Sequence, residues 1–337
     1  MHRIRALELA LMTDASACSI IGRSLARVQQ MLQEIVASRI DVLHAAARRA
    51  VDAGGKLLRP RIVLLAHRAL GGSDETSAIA FATTVELLHA ASLVHDDIND
   101  ESSTRRGLPT AHAELGARLA LITGDFVFVR MLHALSASHT DILPGAIRLL
   151  ADACAALVEG EAQGVLRAGD FGMTENEYFE IIGQKTAALF AASAELGAIA
   201  ARAGAEASER MRRYGYELGL AYQIRDDILD IVASAGSLGK PVRCDLAQGK
   251  LSLAPLFALR SSTRSSEYLR PGADPAHVVQ FLHSCGALDY AATCAADHAS
   301  NAIRALEALP PSTARDGLSA LASYAASIES VTSPQSY

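Results

Sequence analysis

Apolar residues recur along most of the chain at every third or fourth position and seldom alternate with polar ones, the period of helices with one buried face. The spacing predicts helices over 22–52, 59–70, 76–101, 111–138, 141–168, 174–203 and 206–233, separated by short Gly, Pro, Asp or Ser punctuation. Thr174 opens one of them with Glu177 three positions on, the pattern of a capping box. Two stretches, 234–250 and 260–275, break the period with Gly, Pro and Ser and read as loops. Clusters of β-branched residues are few, so the fold class expected is all-α. No fixed-period repeat, low-complexity linker or break in composition divides the chain, which favours one domain.

Composition narrows the function classes. The 337 residues are 50% hydrophobic and 20% charged, enough to build a sizeable core and too apolar for a disordered polymer. Lys and Arg total 31 against 37 Asp and Glu, a formal net charge of −6, and no long basic run offers a track for phosphates, so no nucleic-acid partner is expected. The cysteines at 18, 154, 244, 285 and 294 form no CxxC pair and read as packing thiols of a reduced compartment. The opening MHRIRALELALM carries Glu8 inside its apolar run, and no later stretch has the roughly 18 uninterrupted apolar residues of a membrane span. A cytoplasmic protein is expected.

The chemistry concentrates in two matched acidic strings, DDIND at 96–100 and DDILD at 226–230. Residues four apart on a helix lie about 40° apart around the axis and one turn apart along it. Asp96 and Asp100 thus present one carboxylate pair, and Asp226 and Asp230 a second. Oxygen-only ligands at this spacing suit a hard ion such as Mg²⁺, which keeps several waters and is completed by substrate phosphates. One acidic run alone is usually a solvated helix face; two copies late in apolar helices argue for diphosphate chemistry. Basic groups supply the other half. Lys56 and Arg59 stand at a helix start in GGKLLRP, where backbone N–H groups already favour an anion. Arg105 and Arg106 follow the first acidic string, and Lys185, Lys240 and Lys250 come later, giving cations for two anionic sites beside a metal cluster.

GGKLLRP, LLHAASLVHDDIND, RRGLPT, the GD pair at 124 and 125, EGEAQG, QKTAALF, YQIRDDILD and GKPVRCDLAQGK occur in the order seen in the trans-isoprenyl diphosphate synthases. From about residue 22 to 329 the chain resembles that polyprenyl synthetase family, most closely its long-chain members. The resemblance implies a single-domain bundle of about ten or more helices around a central cavity, preceded by an extension over 1–21 and followed by a tail over 330–337. It implies a prenyltransferase of isoprenoid biosynthesis that condenses isopentenyl diphosphate with a dimethylallyl, geranyl, farnesyl or geranylgeranyl diphosphate. Asp96, Asp100 and Asp226 would hold three Mg²⁺ ions, with Asp97 and Asp230 as supporting acids. Arg105, Lys185 and Lys240 would meet the allylic diphosphate, with Lys250 beside them. Lys56, Arg59, His89 and Arg106 would meet the isopentenyl diphosphate, and Thr186 and Gln223 would turn oxygen dipoles toward the allylic carbon. A homodimer, and peripheral membrane contact during product release, are the implied assemblies.

Departures from the family pattern are visible. GKLSLAP replaces the usual GK, any residue, TLP, with Ser252 for Thr and Pro255 displaced, which loosens the expectation for Lys250; VTSPQSY at the C-terminus lacks a basic tail. Other classes fit less well. Glu86 and His89 form an ExxH pair, but a di-iron bundle needs two. His95 and Asp96 make an HD pair that would leave DDILD and the arginines without a role. A terpene cyclase would keep DDIND but mix Asn, Ser or Thr and Glu in its second motif. A non-catalytic subunit of a heteromeric synthase would normally lack one of the aspartates, and a shorter-chain synthase would place an aromatic ring near the first motif. Here Ala91 and Ser92 lie about one turn before Asp96, near 5.4 Å along the axis, with Leu88 a turn deeper. These small side chains predict a product longer than about 20 carbons.

Overall fold

The computed structural model describes residues 15–52, 55–136, 141–236, 249–261, 265–269 and 273–327. It is an all-α molecule with one two-residue hairpin. The helices are α1 (Ala15–Ile35), α2 (Asp41–Asp52), α3 (Leu58–Ala69), α4 (Thr76–Asn99), α5 (Ala111–Ser136), α6 (Leu143–Leu166), α7 (Glu175–Ile182), α8 (Ala188–Ala200), α9 (Ala205–Gly236), α10 (Leu253–Ser261), α11 (Ser265–Tyr268), α12 (Pro275–Ser284), α13 (Ala287–Ala305) and α14 (Thr313–Ala325). A π-helical turn, Gly183–Ala187, joins α7 to α8, and the strands β1 (Thr104–Arg105) and β2 (Leu108–Pro109) lie between α4 and α5.

Most predicted helices recur within two or three residues; three differ, the one over 174–203 because the π-helical turn interrupts it, and one predicted loop contains a helix. The helix expected over 22–52 starts earlier, at Ala15, and is split: Ser38 Oγ accepts the Ile40 N–H at 3.1 Å, a local bond that competes with the helix, and Asp41 opens α2 with a charge suited to its N-terminus. The helix expected over 111–138 kinks at Gly116, whose φ of 76° and ψ of 164° a side chain would strain. The loop expected over 260–275 contains α11, and Leu269 just after it is buried. Of the other loop, 237–248 lie outside the described residues, and Lys240 with them. The capping box at Thr174 and Glu177 forms as expected, each side chain accepting the other's backbone N–H.

Two apolar clusters make the core. The larger draws on α1 to α6, α8, one face of α9, the end of α13 and α14; the smaller draws on α7, α10, α12, the first part of α13 and an adjacent face of α9. Leu218 and Ala221 belong to the first, Leu220, Ile224 and Ile228 to the second, so α9 is the beam between them. Helix α8 is buried on nearly every side, which is why its sequence is apolar all round and scarcely amphipathic. Its packing relies on absent side chains: a Cβ on Gly197 would lie 2.5 Å from the Val63 carbonyl oxygen, and one on Gly219 of α9 2.5 Å from Ala187 Cα.

Among the described residues two helices, α4 and α5, reach the length and apolar content of a membrane span. Helix α4 is a core helix, with 61% of that apolar window buried, whereas only 33% of the window in α5 is. Leu121, Ile122, Val129 and Leu132 of α5 are 48–58% exposed. Cys154, Cys285 and Cys294 are unpaired thiols; the side chains of Cys18 and Cys244 lie outside the described residues.

Gly197→Val should force α3 and α8 apart and lower stability by about 1–3 kcal/mol, the usual cost of overpacking. Gly145, with nothing within 4 Å of a built Cβ, should accept Ala with no loss. Thermal unfolding followed by circular dichroism separates the two.

Candidate active site

The last turn of α4 carries Asp96, Asp97 and Asp100 without a basic residue, at the end where the helix dipole is already negative. Such crowding is unfavourable unless cations come from elsewhere in the chain. One comes from the hairpin. Arg106 and Gly107 both have positive φ, 53° and 81°, the pattern of a type I′ turn between two-residue strands. That turn points Arg105 back to Asp97, which accepts from both Nε and Nη2 at 2.9 Å. Arg106 faces the cavity beside Gly55, where a Cβ would lie 2.9 Å from its Nη1. A second cation comes from Lys250, which meets Asp100 at 2.5 Å. The GKLSLAP departure is absorbed locally: Ser252 directly precedes α10 with its carbonyl accepting the Leu256 N–H, and Pro255 sits in the helix's first turn, where it is tolerated.

The π-helical turn supplies Lys185 and Thr186. It comes so close to α6 that a Cβ on Gly160 would lie 2.5 Å from Lys185 N, the structural reason for glycine in EGEAQG. Lys185 pairs with Glu161 of the same string, and Asn99 donates to Glu161 at 3.3 Å. Across the cavity, α9 presents Gln223 and Asp226. Gln223 accepts from Thr186 at 2.7 Å and donates to Asp227 at 2.7 Å, while Tyr178 donates to the other Asp227 oxygen at 2.7 Å. Asp227 is thus a buried strut that fixes the amide of Gln223 and, through it, Thr186.

These elements enclose a cavity of about 210 Å³. Of the residues expected to act together, Asp96, Arg105, Arg106, Lys185, Thr186, Gln223, Asp226, Arg59, His89 and Ser92 line it, with Leu93, Leu157 and Tyr222. A second cavity of about 160 Å³ shares Lys185 and Gln223 with the first and adds Asp100, Glu161, Asp227 and Lys250. Lys56 lines neither; its ammonium donates to the phenol of Tyr324 on α14. Asp97 stands behind the wall as the support of Arg105, and Asp230 of α9 lines neither cavity. Ser92 faces the cavity, whereas Ala91 and Leu88 are packed in the apolar core.

Charge states follow from burial. Burial pushes the Asp96 carboxyl up to about 6; Lys185 and Arg105 oppose that shift, and Glu161 and Asp100 reinforce it. Burial pulls the Lys185 ammonium down, but Asp96 and Glu161 together hold it above its ordinary value. His89 is driven well below the usual imidazole range, by burial first and then by Arg59, Arg106 and Arg105, so it faces the cavity neutral. Arg59 lies with its guanidinium 4.6 Å from the Phe190 ring centre and loses some basicity to burial, against the pull of Glu86. His95 turns away from Asp96 toward α5, 3.4 Å from Asp125 and packed against Gly124, which leaves no HD metal pair.

The acid set fits divalent cations. Buried Asp96 carries a charge that its neighbours Glu161 and Asp100 oppose, a state a cation relieves. Among the described residues no three His, Cys, Asp or Glu side chains converge on one point; the acids stand on separate walls, as suits Mg²⁺ that keeps its waters and is completed by phosphates.

The polyprenyl synthetase family model matches residues 40–279. The chain belongs to the polyprenyl synthetase family. It is a prenyltransferase of the polyprenyl diphosphate synthase kind. It is 35% identical over 306 residues to the short chain isoprenyl diphosphate synthase of Methanothermobacter thermautotrophicus, covering 88% of this chain and 93% of that one. It is 32% identical over 311 residues to the octaprenyl diphosphate synthase of Escherichia coli, covering 90% and 95%. Its fold is similar to the crystal structure of polyprenyl synthase from Caulobacter crescentus complexed with calcium and isoprenyl diphosphate, with TM-score 0.86 and 34% identity over 93% of this chain and 97% of that one.

Four groups at this family site escaped the sequence reading: Glu161, Asp227, Tyr222 and Tyr324. The first three stand inside quoted strings, and their roles depend on which neighbour each side chain meets. Tyr324 lies far from any string and gave no signal.

Because Asp96 holds its proton up to about pH 6, cation binding must displace that proton. Affinity for Mg²⁺ alone should rise with pH through about 6 and level off above it. Calorimetry in two buffers of different ionisation enthalpy should detect the released proton, and Asp96→Asn should abolish it.

Proposed function

We propose that this family member condenses isopentenyl diphosphate with an allylic diphosphate to give all-trans polyprenyl diphosphate longer than about 20 carbons. The observation that carries the reading is one cavity with acids on two facing helices, Asp96 on α4 and Asp226 on α9, ringed by Arg59, Arg105, Arg106 and Lys185. Asp96, Asp100 and Asp226 would hold Mg²⁺, with Asp97 and Asp230 in support. Bound there, the metal would supply charge stabilisation to a departing diphosphate.

The chain's own groups do the rest. Lys185 and Arg105, with Lys240 and Lys250, hold the allylic diphosphate where negative charge grows as its C–O bond breaks. Arg59, Arg106 and Lys56 hold the second diphosphate, to which neutral His89 donates a hydrogen bond without adding charge. The Gln223 carbonyl and Thr186 hydroxyl, fixed by Asp227, turn oxygen dipoles toward the allylic carbon where positive charge develops. The allylic carbon left by C–O cleavage is attacked by the double bond of isopentenyl diphosphate, and loss of a proton to the released diphosphate ends the cycle.

Product length rests on Ser92, a small group facing the cavity one turn before Asp96, beside aliphatic Leu93 and Leu157. The family relatives range from short-chain to octaprenyl synthases by name, so length follows from this wall and not from membership. The exposed apolar face of α5 is proposed to bury itself against a second copy. Both acid walls are present, which favours a catalytic chain over a silent subunit.

With Mg²⁺, labelled isopentenyl diphosphate and an allylic primer, mass spectrometry should show products beyond about 20 carbons. Asp96→Ala and Asp226→Ala should each lower turnover by several orders of magnitude. Ser92→Phe should shorten the products while condensation continues. Near-normal turnover in either Asp variant would refute the reading. Light scattering should give the mass of two chains, and Leu121→Glu with Val129→Glu should give one.

A further inference from the structure

The last helix touches the active site through one residue whose position the fold fixes firmly. Ser312 caps α14 by accepting the Arg315 N–H at 3.2 Å, and the buried Tyr214 phenol of α9 donates to the Leu318 carbonyl at 2.9 Å. Near its C-terminal end α14 presents Tyr324, 4% exposed. The phenol oxygen accepts from Lys56 Nζ, which also stands 4.8 Å from the ring centre. Arg225 Cζ lies 4.3 Å from the same ring centre, and its Nη1 is 3.6 Å from Asp226 Oδ1.

We propose that Tyr324 is a positioning residue of the synthase: it gathers Lys56 and Arg225 on one ring and so ties the isopentenyl-diphosphate pocket to the second acidic string. The inference rests on the function proposed above and names a group that no string contains. Three considerations carry it. Arg225 is 1% exposed, and a buried guanidinium demands partners; the Tyr324 ring and Asp226 are two of them. Lys56 has a long, rotatable stem, and a bond that holds it before substrate arrives removes ordering that binding would otherwise have to impose. Tyr222, which lines the cavity, feels Asp226, Lys56, Tyr324 and Arg59, so all five groups share one neighbourhood.

Tyr324→Phe keeps the ring and removes only the oxygen. KM for isopentenyl diphosphate should rise about three- to tenfold, the worth of one hydrogen bond, with kcat within about twofold and KM for the allylic substrate unchanged. In a Lys56→Ala background the same change should add nothing, because its effect passes through Lys56. An unchanged KM in Tyr324→Phe, or an equal further rise in the Lys56→Ala background, overturns the proposal. So does a uniform loss for both substrates accompanied by a lower melting temperature, the mark of a merely structural tyrosine. Unsubstituted protein that makes no prenyl product would overturn the proposed function instead.

Discussion

Carboxylates crowded where nothing local favours them are the constraint on which the rest of this structure turns. Asp96, Asp97 and Asp100 sit at the negative end of α4, and Asp96 is buried close to Glu161. Each burdens the folded state unless a cation meets it. The chain answers from three other elements: Arg105 from the hairpin that follows, Lys185 from a π-helical turn and Lys250 from the approach to α10. Breaking any of these contacts would leave a partly buried charge uncompensated, which is the costly case for buried ions. The irregular elements of an otherwise helical molecule are thus the ones that deliver cations to the acids.

The cavity lies at the seam between the two apolar clusters, and α9 is the reason it can. Its residues alternate allegiance, Leu218 and Ala221 to one cluster and Leu220, Ile224 and Ile228 to the other. What remains of its surface, Tyr222, Gln223 and Asp226, faces the seam. Close helix approach at Gly197 and Gly219 holds α3, α8 and the π-helical turn against this beam, so the opposing acid walls are set by core packing and not by loops.

The sequence made the helices and the two acidic strings legible because both obey one rule, the helical period. Asp96 and Asp226 were readable by that rule; the cations quoted beside them were readable by their charge and place in the chain, not by the period. The period says nothing of irregular backbone. The break at Ser38, the type I′ turn at Arg106 and the π-helical turn at Lys185 are set by local hydrogen bonds and by what packs against them. It is also silent on neighbours within an acidic string. Asp226 faces the cavity, whereas Asp227, one position on and rotated by about 100°, takes bonds from Tyr178 and Gln223 and becomes a strut. Tyr324 was illegible for a further reason: its partners Lys56 and Arg225 are 268 and 99 positions away, and only the tertiary fold brings them onto one ring.

Polar struts around the cavity imply where substitution is tolerated and where it is not. Asp227 has both oxygens engaged inside the wall, so shortening or neutralising it releases Gln223 and Tyr178 together. A change there would act through the orientation of the Thr186 and Gln223 oxygens without removing any group that meets substrate. The wall before Asp96 is different in kind. Ser92 satisfies itself by donating to the His89 carbonyl at 2.9 Å within its own helix, and among the described residues it makes no bond across the cavity. Nothing in the active-site network depends on that hydroxyl, so its size can vary without disturbing the acids or their cations. On the proposed reading the chemistry is held by a hydrogen-bonded network of struts and paired ions, whereas the chain-length wall at Ser92 stands outside it. That separation would let the side chain at Ser92 change in size while Asp96, Lys185 and Arg105 keep their contacts.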